Sequence, residues 1–179
     1  MRGRARWWPR LKSFSYSVET SLCRDRVWQL LTNIENWSRL SYVYEDLAWV
    51  GEPWTLGSYI TGKLNYPIVI PFRYVLRDYR TPELIRYLAD SPELGFANER
   101  TIRLEQRRNS TLIKIDAYSV GNPDCGVPGG NLGFLKMLTE RWFSEFAQFC
   151  DREAQRGIEG RRKPSIGLPL YLHRLLRKS

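Results

Sequence analysis

The longest periodic segment of the chain, Leu132 to Gln155, most constrains what it can fold into. Leu135, Leu138, Trp142, Phe146 and Phe149 recur at helical spacing and form an apolar stripe, widened by Phe134, Phe143, Ala147 and Cys150. Lys136, Glu140, Arg141, Glu145, Gln148 and Arg152 fall on the opposite side. Most of the stability of such a helix comes from burying its apolar face rather than from propensity, so a large apolar surface must cover it. Gly157 is the expected end of the helix.

The preceding chain supplies that surface as strands. Lys12–Thr20 alternates apolar and polar residues, the period of a half-buried strand. Ser21 is the expected N-cap of a helix running through Arg24–Leu31, and a second short helix is expected near Ile34–Leu40. Strand periods then cover Tyr42–Val50, Ser58–Tyr66, Phe72–Tyr79, Leu84–Ala89, Phe96–Gln106 and Thr111–Val120, separated by turn residues such as Gly51-Glu52-Pro53 and Arg80-Thr81-Pro82-Glu83. Short strands with turns between them and no intervening helices predict an antiparallel meander. The stretch Gly121–Gly130 lacks both the Lys-Ser/Thr ending of a P-loop and the spacing of a dinucleotide turn, so it reads as a hinge into the long helix.

At 179 residues the chain suits one domain, expected over 13–157, flanked by a basic tail at 1–12 and a basic amphipathic tail at 158–179. The net charge of +9 resides in those ends. Residues 1–12 hold five basic groups and no acid, and residues 156–179 hold seven against Glu159. The span 13–155 thus keeps 16 of the 28 basic and 18 of the 19 acidic residues. A near-neutral body gives no electrostatic groove for nucleic acid, and no nucleic-acid partner is expected. The tails suit contact with an anionic membrane surface, with solubilising ends as the alternative. Cys23, Cys125 and Cys150 are odd in number and form no CxxC pattern, and His173 is the lone histidine. Neither a metal site nor a cofactor is expected, and unpaired thiols suit the cytoplasm, with peripheral membrane contact through the tails.

The order strand, two short helices, six-strand meander, long C-terminal helix is the layout of an α+β helix-grip fold. In it, a curved antiparallel sheet of about seven strands wraps the last helix. The segment Ser21 to Trp37 (SLCRDRVWQLLTNIENW), Gly57-Ser58 entering a strand, and Leu104-Glu105 followed by Thr111-Leu112-Ile113 resemble the START-like (SRPBCC) superfamily, in particular its polyketide cyclase/dehydrase and lipid-transport group. The resemblance covers residues 13–155. It implies a cavity between the concave sheet face and the long helix for a lipid, polyketide or aromatic compound, which is bound or carried. The alternatives are a cyclase or dehydratase in the same cavity without metal, and a docking protein acting through its basic tails.

Strand parity selects candidate lining residues. Ile113, Ile115 and Ala117 share one face, expected to point at the helix, and Lys114, Asp116 and Tyr118 share the other. Ile102 and Leu104 inward place Asn98 and Arg100 inward as well, where Arg100 meets either a structural carboxylate, Glu99 or Asp78, or a ligand oxygen. Tyr74 and Leu76 are expected inward, Tyr87 is ambiguous, and the strand before them offers Tyr59 and Thr61 or Ile60 and Leu64. The candidate ligand-binding set is therefore Trp37, Tyr59, Tyr74, Leu76, Tyr87, Arg100, Ile102, Ile115, Leu138, Trp142 and Phe146. No nucleophile–base pair stands out, so any acid–base chemistry falls to Tyr, Arg, Asp or Glu.

Overall fold

Alternation of side chains along each strand turns one apolar face inward, and the chain closes that face around its last helix. The computed structural model describes residues 13–65, 69–91, 96–120 and 132–161. Strand β1 (Ser13–Thr20) leads into helices α1 (Arg24–Thr32) and α2 (Glu35–Leu40). Strands β2 (Tyr44–Val50), β3 (Tyr59–Asn65), β4 (Val69–Arg80), β5 (Leu84–Ser91), β6 (Phe96–Gln106) and β7 (Thr111–Val120) follow, and helix α3 (Leu132–Arg161) ends the described chain. The sheet is antiparallel throughout in the order β1-β7-β6-β5-β4-β3-β2, so β1 pairs with the last strand of the meander. The register shifts in β2 between Glu45 and Ala48 and in β4 between Leu76 and Asp78, irregularities of the kind that bend a strand and increase its twist.

Three local expectations are corrected. Cys23 flanks the start of α1 with no side-chain cap, while Ser21 donates from both its N–H and its hydroxyl to Asp151 Oδ1, each at 2.8 Å. The tertiary partner outcompetes local capping because the carboxylate is an ionised acceptor. Helix α3 also continues through Gly157 to Arg161, so the boundary expected there falls inside a helix. Strand β2 begins at Tyr44 rather than Tyr42, whose ring lies beneath the Arg141 guanidinium at 4.5 Å. The 1–12 tail, residues 162–179 of the C-terminal tail, the 121–130 stretch, Cys125 and His173 lie outside the described residues, while 158–161 continue α3.

The core lies between the concave sheet and α3. Ile113, Ile115 and Phe146 are fully buried there, while Tyr118 is 45% exposed on the outer face. Trp142 donates its indole N–H to the Trp37 carbonyl at 3.4 Å, and the Tyr16 and Ser144 hydroxyls share a bond of 2.7 Å. These contacts tie α3 to α2 and to β1. Gly62 permits the tightest approach in the sheet. A Cβ there would lie 2.7 Å from Leu47 Cδ2, 3.0 Å from the Glu45 carbonyl oxygen in the bulge, and 3.1 Å from Phe72 Cζ. Gly62→Ala is expected to lower unfolding free energy by about 1–3 kcal/mol, read from urea denaturation, because the Leu47 side chain must move and the Glu45 carbonyl and Phe72 ring are crowded.

Asp151 clamps the end of β1 to α3. Burial opposes its charge, but the Ser21 N–H and the Thr20 and Ser21 hydroxyls outweigh that and hold its carboxyl below the ordinary value. A depressed carboxylate stabilises the fold above its unfolded pKa and loses that contribution as pH falls through the folded value. Asp151→Asn is expected to cost about 1–2 kcal/mol at pH 7 and to narrow that deficit on acidification below pH ~4. Melting curves from pH 7 to pH 3 measure both. The neighbouring Cys150 is fully buried, and burial pushes its thiol up to about 12, which makes it an inert packing residue.

Candidate functional site

The concave face carries an almost continuous cluster of aromatic rings. Trp37 lies 5.6 Å from Tyr44 and 5.7 Å from Trp142, and Tyr74 lies 4.2 Å from Phe72 and 4.6 Å from Tyr87, between ring centroids. Such offset and tilted pairs add to what their buried area contributes. Within the cluster remains a cavity of about 10 Å³, bordered by Trp37, Trp49, Trp54, Ile60, Tyr74, Leu76, Ile85, Tyr87 and Ile102. That space holds about one water molecule. The rings themselves fill the concavity, so a ligand requires them to move.

The residues best placed to move are at one side. Trp54, in the β2–β3 connection, has φ of 61°, a left-handed conformation that costs a non-glycine residue of order 1 kcal/mol. Its ring stacks on Tyr79 at 5.1 Å and meets Trp49 edge-on at 4.9 Å, and its indole N–H donates to the Thr32 carbonyl at 3.1 Å. Gly57, at φ 86°, closes the same connection by donating to the Leu76 carbonyl. Trp49 also borders an open groove of about 700 Å³ between α1–α2 and β2, with Thr32, Ile34, Arg39 and Leu47 among its walls. Trp49 therefore stands between the external groove and the internal cavity.

Polar groups converge beside the cavity. Arg100 is 3% exposed and pairs across the strands with Tyr87. Its Nε–H donates to Asn98 Oδ1 at 2.8 Å, and its guanidinium lies 5.8 Å from the Tyr74 ring centroid. The Tyr44 and Tyr74 hydroxyls meet at 3.3 Å. Among the described residues no carboxylate pairs with Arg100: Glu99 is bridged to Arg86 and Asp78 to Arg80. Burial alone pulls the guanidinium pKa down, yet the surrounding tyrosine oxygens outweigh this and leave it above its ordinary value. Burial likewise raises Tyr87 to about 12 and Tyr74 well above its usual range. At neutral pH the Arg100 cation is thus flanked by the protonated Tyr74 and Tyr87 hydroxyls.

No protein-family model and no curated protein sequence matches the chain. Its fold has many counterparts among solved structures. Ara h 8.0201 superposes with a TM-score of 0.64 at 10% identity, covering 77% of this chain and 96% of that one. The di-domain ARO/CYC StfQ from the steffimycin biosynthetic pathway gives 0.63 at 12% identity, over 82% of this chain and 52% of that one. Norcoclaurine synthase from Thalictrum flavum, a point mutant in complex with a transition-state analogue, gives 0.56 at 14% identity over 80% and 96%. The chain has the START-like fold. At these identities the likeness concerns architecture, a helix gripped by a seven-stranded sheet.

On this START-like frame the sequence candidates divide. Trp37, Tyr74, Leu76, Tyr87 and Ile102 border the cavity, and Arg100 lies off its wall, 5.8 Å from the Tyr74 ring centroid and opposite Tyr87 across the strands. Ile115, Leu138, Trp142 and Phe146 pack in the core between sheet and helix, outside the cavity wall. Tyr59 is a correction. It lies half-buried on the outer face under the Arg73 guanidinium at 5.6 Å, because the β3 register turns Ile60, Gly62 and Leu64 inward. Ile60, the sequence alternative to Tyr59, joins the cluster, as do Trp49, Trp54, Ile85 and Tyr44, which were not singled out from sequence. No described helix is long and apolar enough to cross a membrane.

Proposed function

We propose that this protein binds a hydrophobic small molecule on the concave face, between the sheet and α3, and acts as its carrier or receptor. The observation that carries this reading is the convergence of Arg100, Tyr87, Tyr74, Tyr44 and Asn98 beside a wall made otherwise of aromatic and aliphatic side chains. Apolar surroundings with a few convergent polar groups are the usual composition of a small-molecule site. The cavity is closed at rest, so binding requires ring displacement, and Trp49 and Trp54 are the partly exposed rings that can swing toward the groove. The START-like architecture and its occurrence in ARO/CYC and norcoclaurine synthase structures support the same placement.

Titration of the full chain with the neutral fluorophore N-phenyl-1-naphthylamine tests this reading. One saturable equivalent, with quenching of tryptophan emission, is expected. Trp49→Ala is expected to raise the association rate about tenfold or more, since binding that requires a conformational change is slowed by it. Absence of saturable binding by the native chain would overturn the proposal.

A second reading, cyclisation or dehydration of a polyketide-like substrate, draws on the same convergence. Arg100 and the tyrosine hydroxyls are donors suited to a developing oxyanion. The raised pKa values of Tyr74 and Tyr87 keep them protonated, able to donate but poorly able to abstract a proton. That asymmetry ranks binding above catalysis. Turnover of an aromatic polyketide mimic by the native chain, lost in Tyr87→Phe, would reverse the ranking.

A further inference from the structure

We infer that the ligand is an acid: a flat hydrophobic molecule whose single anionic group, a carboxylate, sulfonate or acidic phenol, meets the Arg100 guanidinium. This rests on the binding reading above and narrows it to a ligand class. A guanidinium has five N–H donors in a planar fork, and Arg100 donates Nε–H to Asn98 Oδ1 and stands opposite Tyr87 on the neighbouring strand. The residue is 3% exposed, so water does little to screen its charge, and no described carboxylate pairs with it. A buried ion without a counter-ion is costly, and the cost is relieved by whichever molecule brings an anion to the fork. Neutral carbonyl ligands would satisfy donors but leave the charge uncompensated.

The neighbours fit the same class. Tyr74 and Tyr87 stack at 4.6 Å with an interplanar angle of 30° and both border the cavity, and Arg100 lies off its wall, 5.8 Å from the Tyr74 ring centroid. A planar ring system inserted along these faces brings its polar end to the guanidinium. The Tyr74 and Tyr87 hydroxyls, held protonated, remain available as donors to the same anion. Asn98, 1% exposed and donating through Nδ2 toward the Ala89 carbonyl at 3.5 Å, holds the fork in place from the other side.

Two probes that differ by one sulfonate separate the possibilities. The full chain is titrated at 0.15 M salt with 8-anilinonaphthalene-1-sulfonate and with N-phenyl-1-naphthylamine. The sulfonate is expected to bind roughly tenfold more tightly or better, the difference of one buried charge-assisted contact. Arg100→Met is expected to erase that ratio, the sulfonate losing roughly tenfold more affinity than the neutral probe. In ¹⁵N-labelled native protein the Arg100 Nε–H resonance is expected to shift more with the sulfonate than with the neutral probe. This measurement does not depend on the variant folding. Equal affinities, a ratio unchanged in Arg100→Met, or a stationary Nε–H resonance at sulfonate saturation would each overturn the acid inference while leaving the cavity in place. The last two outcomes would assign sulfonate affinity to basic residues elsewhere, including the tails. Failure of the neutral probe to bind would instead overturn the binding reading itself.

Discussion

Phe146→Ala is expected to lower the unfolding free energy by about 3–5 kcal/mol, one of the largest single losses available in this fold. Phe146 is completely buried, stacks on Trp142 at 5.2 Å with an interplanar angle of 8°, and meets Phe143 edge-on at 6.5 Å. Removing the ring leaves a void between α3 and the sheet that the flanking rings are too rigid to fill, so transfer and cavity costs add. Chemical denaturation monitored by tryptophan emission measures the change, since Trp142 and Trp37 lie in the affected contact. A loss below about 1 kcal/mol would mean that α3 is not packed on the sheet as described.

The second large effect has the opposite sign. Arg100→Met is expected to stabilise the unliganded protein by roughly 1–3 kcal/mol, because an apolar side chain of similar length replaces a buried charge with no counter-ion among the described residues. The gain is reduced by the loss of the Asn98 hydrogen bond and of the contact with the Tyr74 ring. Stabilisation by removal of a residue is the signature expected of a group held for binding at a cost in stability. A lower melting temperature for Arg100→Met would identify the arginine as a structural element of the sheet instead.

Much of this was legible in the residues because their chemistry alternates. Ile102 and Leu104 fixed the parity of β6, and with it the inward position of Arg100. Along β7, Ile113, Ile115 and Ala117 did the same against Lys114, Asp116 and Tyr118. The width of the apolar stripe on α3 required a concave sheet to cover it. Parity failed where both faces offered rings or where the backbone broke its period. In β3, Tyr59 and Ile60 are both plausible core residues, and only the register with β4 shows that Tyr59 shelters beneath Arg73. In β2 the bulge between Glu45 and Ala48 resets the alternation before Trp49, and Trp54 sits in a connection whose left-handed backbone no periodicity announces. The Ser21 cap was misread because Asp151 arrives from 130 residues away along the chain. The degree of closure was also beyond sequence: aromatic content does not say whether rings line a void or fill it.

The most direct test of a concave-face site is a heteronuclear NMR titration of the full chain with N-phenyl-1-naphthylamine. Saturation at one equivalent is predicted, with the largest amide shifts at Tyr74, Leu76, Tyr87, Arg100 and Ile102, accompanied by the indole N–H signals of Trp49 and Trp54. Shifts confined to the external groove around Thr32, Ile34 and Arg39, with the inner faces of β4, β5 and β6 unmoved, would contradict it.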